Sequence, residues 1–200
     1  DWSCKMKKFY FFDFDGTLTH KDTMFLFLRF ASPSKYRFQY LKHIPLFILV
    51  KLKLIDAAQV KKSFISSLLK GKTQEFIERK SQAFFAEYYP SLIRERALDF
   101  IQKIDREKTD SYLVTASLDI WVKPFAEEFK MNLISTEAYF KDGVFTGEFK
   151  TSNCNGREKV TRIKAEIQGK KYDKTIAFGD TSGDKPMLQW ANESYFRFFH

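Results

Sequence analysis

The sequence predicts an α/β fold in which a Rossmann-like parallel sheet carries a helical segment inserted after its first strand. Three observations predict it. From Ser111 onward, short apolar runs alternate with helical stretches, as in a parallel sheet. Before that, roughly Asp22 to Lys108 is helical in texture, which is too long for a simple crossover. Third, the first apolar run drives straight into two aspartates, residues 11–19 reading FFDFDGTLT.

The elements follow in order. Lys7–Phe14 is aromatic, continuous and closed by Asp-Gly, which predicts a strand. The helical stretch breaks near Ser32-Pro33-Ser34, Leu54-Ile55-Asp56, Gly71-Lys72-Thr73 and Tyr89-Pro90-Ser91. Asp56, Thr73 and Ser91 stand where N-caps belong, so about four helices precede Ser91 and another runs on to Lys108. Ser111–Ala116 reads as a buried strand, Asp119–Phe129 as a helix and Leu133–Thr136 as a strand. Within Tyr139–Phe149, KDGVFTGE signals a hairpin turning at Asp142-Gly143. Arg157–Gln168 is an amphipathic helix with Val160, Ile163 and Ile167 on its buried face and Lys159 bordering it. Lys174–Phe178 is a strand ending in Gly179-Asp180, Lys185–Asn192 a short helix and Ser194–Phe198 a last strand. The expected division is an α/β core over 1–21 and 90–200 and a helical cap over 22–89.

Composition narrows the function classes. The 200 residues suffice for one sizeable core, and 23 phenylalanines predict an aromatic one. There is no repeat or low-complexity tract. The net charge is +9, and Lys35–Pro90 alone holds 11 Lys/Arg against 4 Asp/Glu. Such an excess favours anionic partners, with a merely solvated surface as the alternative. Ile44–Val50 is apolar on all sides but far short of the ~20 residues of a membrane span, so it must be buried or meet something apolar. Cys4 and Cys154 show no zinc or CxxC spacing, and no secretory signal is expected. Met6 reads as a natural start, with Asp1–Lys5 an upstream remnant, and the sequon at Asn192 as chance. These features predict a cytoplasmic location, with peripheral contact to anionic lipid left open. No nucleic-acid motif is found, and the oligomeric state is unread.

Three predicted strands end in polar groups: Asp13 and Asp15, Thr115 and Ser117, and Asp180 with Asp184 four residues on. Ligands of open α/β sheets bind beyond the carboxyl ends of the strands, so these groups are expected at one edge. Carboxylates that close repel unless a cation lies between them, and an oxygen-only cluster calls for Mg²⁺. Lys159, near the start of its helix, is placed to reach the same edge.

The set DFDGT, Thr115/Ser117, Lys159 and GDTSGD resembles the haloacid dehalogenase superfamily of phosphohydrolases. All four motifs appear in order and span the chain. The helical insert looks like a type-1 cap of the phosphoserine-phosphatase-like branch, subfamily IB. The resemblance implies a Mg²⁺-dependent phosphatase acting through an aspartyl-phosphate, with a phosphorylated small molecule as substrate. It implies Asp13 as nucleophile and Asp15 as general acid/base. It implies Mg²⁺ on Asp13, the carbonyl of Asp15 and Asp180, with Asp184 holding a metal-bound water or orienting Lys159. Thr115, Ala116, Ser117 and Lys159 would bind phosphate.

The pattern also departs from that branch. Gly183 stands where an Asn is usual, Asp22 replaces a cap glutamate, and Leu54–Lys70 offers no cap arginine for a substrate carboxylate. Phosphoserine is therefore not assigned. The cap stretch KHIPLFILVKLKLI is similar to caps in the branch containing phosphatidylglycerophosphate phosphatases, which raises a lipid phosphate as an alternative substrate. A non-enzymatic alternative is a basic module that binds phosphate or nucleic acid. A phospho-receiver domain needs neither Asp15 nor so long an insert.

Overall fold

A computed structural model describes residues 7–200; the expectations placed on Cys4 and Met6 lie outside the described residues. Seven strands and eight α-helices follow in the order β1 (Lys7–Phe12), α1 (Thr23–Ala31), α2 (Pro33–Lys51), α3 (Ala57–Leu69), α4 (Gln74–Tyr88), α5 (Glu95–Gln102), β2 (Thr109–Leu118), α6 (Asp119–Glu128), β3 (Asn132–Thr136), β4 (Ala138–Lys141), β5 (Val144–Phe149), α7 (Arg157–Ile167), β6 (Tyr172–Gly179), α8 (Lys185–Trp190) and β7 (Glu193–Phe196). A 3-10 turn, Ser182–Asp184, precedes α8.

The five strands β3-β2-β1-β6-β7 form one parallel sheet in that order, with β1 at its centre. The central strand is apolar on both faces because both are covered, as parallel sheets require. Phe9 and Phe11 pack with Tyr112, Val114, Ile163, Ile167 and Met187 on one face. Phe12 packs with Leu113, Phe178 and Phe199 on the other, stacking on Phe178 at 4.8 Å. The expected aromatic core is present.

The helices between β1 and β2 follow the predicted breaks. Asp22, Asp56 and Thr73 each accept a hydrogen bond from a first-turn backbone N–H of α1, α3 and α4. Ser91 is a correction. It is no N-cap, because its hydroxyl donates back to Tyr88 O and α5 begins only at Glu95. That helix ends at Gln102 rather than Lys108. The hairpin turns at Asp142-Gly143 as expected, both with positive φ (50° and 74°). It also pairs with the α3–α4 connection, through Gly71 N–H to Phe145 O and Phe145 N–H to Lys72 O, both at 2.9 Å.

Phe64 of α3 is fully buried at the centre of the insert. Its ring meets Phe25 of α1 and Tyr36, Tyr40, His43 and Phe47 of α2 at centroid distances of 5.2–6.3 Å. Phe64→Ala leaves a cavity where three helices meet and should cost about 3–5 kcal/mol. Chemical denaturation followed by circular dichroism checks this, and a cost under about 1 kcal/mol would mean that the three helices are not held together there.

Candidate active site

Because every strand of the sheet points the same way, the C-terminal ends share one edge, and strand order reverses at β1. Asp13 follows β1 directly, its N–H donating to Phe178 O of β6 at 3.0 Å. Asp180 follows β6. Thr115 lies near the end of β2, and beyond it the pairing with β3 slips between Thr115 and Leu118, taking Ala116 and Ser117 out of ladder register.

Lys159 joins these segments. The sequence puts it at the border of the buried face of α7, but it is itself buried at 1% exposure, one turn before Ile163 and two before Ile167, while Val160 is only half-buried. Its ammonium donates to Asp13 Oδ1 (2.5 Å), Asp184 Oδ1 (2.7 Å) and Val114 O (3.0 Å), which engages all three protons. Burial works against its charge, but the Asp13 and Asp184 carboxylates outweigh that and hold it above the usual lysine range. Burial likewise works against Asp184, and Lys159 holds it below the usual carboxylate range. Asp13 is raised to about 7, first by burial and then against the pull of Lys159.

The remaining acids are fixed by short hydrogen bonds. Thr17 Oγ1 lies 2.9 Å from Asp13 Oδ2 and 3.0 Å from Asp180 Oδ1. Asp15 Oδ1 accepts from the N–H and hydroxyl of Thr23, both at 2.6 Å, and Thr23 is in turn held by Trp121 Nε1. Ser117, expected among the phosphate-binding groups, lines the same cavity, and its hydroxyl donates to Asp15 Oδ2 at 2.5 Å. Thr115 Oγ1 accepts from Ser117 N–H, which leaves its own proton for a ligand.

Asp13, Asp180 and Asp184 present carboxylate oxygens within 4.8 Å of one another. Asp184 is committed elsewhere, with Oδ1 on Lys159 and Oδ2 accepting from Asp180 N–H, Thr181 N–H and the Thr181 hydroxyl. Among the described residues Asp180 Oδ2 accepts no hydrogen bond, and it lies where a Cβ on Gly16 would come within 2.4 Å. Gly16, with φ +82°, keeps that space open. An all-oxygen, buried, anionic set of this kind fits a small hard cation such as Mg²⁺.

Above the acids lies a cavity of about 450 Å³. Met24, Phe25, Phe47, Val50 and Val60 of the inserted helices supply an apolar wall. Asp22 and Lys61 supply charge: Asp22 is raised to about 6 by enclosure and then by Asp15, and Lys61 lowered to about 8 by burial. Lys61 Nζ reaches across to Ala116 O and to Asn153 Oδ1 (2.8 Å), so the insert closes onto the sheet edge through this side chain. A larger cleft of about 570 Å³ between α4 and α6 contains none of Asp13, Asp15, Asp180 and Asp184. The sequence reading missed Lys61, Asn153, Asn155, Thr17 and Thr23. For Thr17 the signal was present in the DGT triplet; for the others it was not.

A family profile described as haloacid dehalogenase-like hydrolase matches residues 10–189. The chain belongs to the haloacid dehalogenase-like hydrolases. Protein CicA of Caulobacter vibrioides is 35% identical to it over 190 residues, covering 94% of this chain and 85% of that one. Similar folds occur in a protein of unknown function from Bordetella pertussis Tohama I (TM-score 0.81, 18% identical, 94% and 89% of the two chains). They occur also in a phospho-aspartyl intermediate analogue of phosphoserine phosphatase (TM-score 0.64, 22% identical, 95% and 86%). A phosphoserine phosphohydrolase-like protein from Francisella tularensis gives TM-score 0.65 at 21% identity, with 94% and 86% covered.

The Gly183 departure has a structural counterpart in this hydrolase. A Cβ at Gly183 would lie 2.2 Å from Asn155 Oδ1, so the Asn155 carboxamide occupies that space from another loop. Gly183→Asn should therefore push the exposed Asn155 side chain aside and cost up to about 1 kcal/mol. Adding Asn155→Gly should recover most of the loss, which thermal melts of the double-mutant cycle read directly. Additive losses would show that the two positions do not share one space.

Proposed function

We propose that the protein is a Mg²⁺-dependent phosphatase that hydrolyses a phosphomonoester through an aspartyl-phosphate on Asp13. The observation that carries this reading is the buried Lys159 fixed between Asp13 and Asp184 at the sheet edge, beside Asp15 on its own scaffold. A carboxylate nucleophile needs a cation that keeps it ionised and aimed, and Lys159 supplies one. An Asp13 oxygen attacks phosphorus, the bond to the leaving oxygen breaks, and Asp15 gives that oxygen its proton. Asp15 then takes a proton from water as it attacks the same phosphorus, releasing phosphate and the Asp13 carboxylate. Thr115, the Ala116 N–H and the charge of Lys159 offset the phosphoryl oxygens, while Ser117 and Thr23 hold Asp15 in place. Asp13, Asp180 and the Asp15 carbonyl would hold Mg²⁺, which would supply positive charge beside the phosphoryl oxygens. Asp184 serves by orienting Lys159.

The substrate is a phosphorylated small molecule whose leaving group rests between the apolar wall and Lys61. Phosphoserine is not the favoured substrate, since that wall is formed by Met24, Phe25, Phe47, Val50 and Val60. A basic binding module would have no use for this set of buried acids. A reducing, cytoplasmic setting fits Cys154, a buried free thiol.

Asp13→Asn should lower kcat on p-nitrophenyl phosphate at least about hundredfold with the melting curve preserved, and Asp15→Asn nearly as much. Retention of a tenth of the activity by Asp13→Asn would overturn the assignment. Metal binding should also depend on pH in a defined direction. Burial raises Asp13 to about 7 against the pull of Lys159, and a bound cation favours its ionised form, so binding below that pH should release a proton. The apparent Mg²⁺ affinity should rise about tenfold per pH unit toward neutrality and level off above it. Calorimetric titration in buffers of different ionisation enthalpy measures the released proton; affinity independent of pH between 5 and 7 would mean that Asp13 is already ionised over that range.

A further inference from the structure

Helix α2 has two apolar faces, and only one is covered. Tyr36, Tyr40, His43 and Phe47 recur at 4-3-4 spacing and pack on Phe64 of α3. Phe38, Leu41, Pro45, Ile48 and Leu52 recur at 3-4-3-4 spacing and fall within about 80° of one another around the helix. All five are exposed, and Phe38, Leu41, Ile48 and Leu52 lie between 53% and 67%, as does Leu54 in the following turn. Of the ten large apolar side chains exposed among the described residues, seven fall between Phe38 and Ile55, so the exposure is concentrated rather than scattered.

The charges around this stripe are of one sign. Between Thr23 and Ile55 there is no Asp or Glu. Lys35 and Lys42 flank the stripe on one side and Arg37 on the other, with Lys51 and Lys53 at its C-terminal end. All five cations are exposed, and none has an acidic partner among the described residues.

We propose that this face of α2, continued through Leu54, docks on the surface of an anionic lipid bilayer. A bilayer interface meets both halves of the pattern: acyl chains receive the apolar stripe while the flanking cations reach outward to anionic head groups. A second copy docking by a two-fold axis would bring these cations against their own kind, and nucleic acid would leave Leu41, Ile48 and Leu52 unmatched. The helix lies in the interface rather than across it, as no helix among the described residues is long and apolar enough to cross a membrane. Pro45 fits this placement. It removes one N–H and frees the carbonyl of Leu41, which the wet head-group layer hydrates. The inference does not depend on the reaction.

The test is flotation of the full chain with phosphatidylcholine vesicles prepared with and without phosphatidylglycerol. Binding is expected to the anionic vesicles and to weaken as salt rises. Lys42→Glu with Lys53→Glu should reduce partitioning about 25-fold or more. Leu41→Glu with Ile48→Glu should reduce it at least about tenfold. Thermal melts of both variants should match the parent, since these side chains are exposed. Failure of the parent to float with anionic vesicles at low salt overturns the proposal, as does binding that Leu41→Glu with Ile48→Glu leaves intact. A concentration-dependent dimer in sedimentation that Ile48→Glu abolishes would assign the face to a second copy instead.

Discussion

The ion pairs that Lys159 makes with Asp13 and Asp184 are the constraint around which this molecule is arranged. Taking such charges out of water costs several kcal/mol each, and they are retained only with short, complete pairing. Completeness is visible in the partners: three protons, three oxygens. The other acids are then fixed in sequence. Asp184 is locked by the Asp180 and Thr181 N–H groups, and Asp13 is tied to Asp180 through Thr17. Segments that begin at β1, α7 and β6 are thus held at one point, and α7 must turn Lys159 inward for any of it to form. Its buried side follows from that, with Ile163 and Ile167 continuing the same row.

Much of this was legible because strand ends write their chemistry locally. An aromatic strand that stops at DFD, a buried strand that stops at TAS and another that stops at GD place polar groups at one edge once the strands are parallel. Two details were less legible. The place of Lys159 at the start of its helix aims it at the sheet edge, but its register reads as the border of the buried face, and its full burial between Asp13 and Asp184 shows only in the fold. Ser117 enters the phosphate set through the resemblance alone, and its bond to Asp15 becomes visible only in the fold. Ser91 resembles an N-cap in composition, but the turn after Tyr88 captures its hydroxyl before a helix can begin.

What the sequence concealed lies mostly where the insert meets the core. Lys61 is one of two adjacent lysines in a basic helix, and nothing local distinguishes it from Lys62, which pairs with Glu148 at the surface. One residue of helical rotation separates a surface ion pair from a side chain that spans the cavity. Asn155 is similarly silent, since its relation to Gly183 exists only after the loop before α7 meets the turn before α8. Such contacts are long-range products of packing, and periodicity carries no record of them.

Helix α2 shows the opposite failure of periodicity, an excess of signal. Two interleaved apolar stripes make it read as uniformly hydrophobic, so the sequence alone leaves open whether Ile44–Ile55 packs inside or faces out. The answer is both. Phe47 and Val50 contribute to the wall above Asp13, while Ile48 and Leu52 point away from the protein. These two functions are mechanically separated. For the outer face to disturb the cavity, α2 would have to slide against Phe64, which is fully buried and in ring contact with three helical turns of α2. Close-packed aromatic contacts resist such sliding because any shift opens voids. Attachment at the outer face therefore leaves the geometry of Asp13, Lys159 and Asp184 to the sheet, and what the helix contributes to the reaction is a fixed wall.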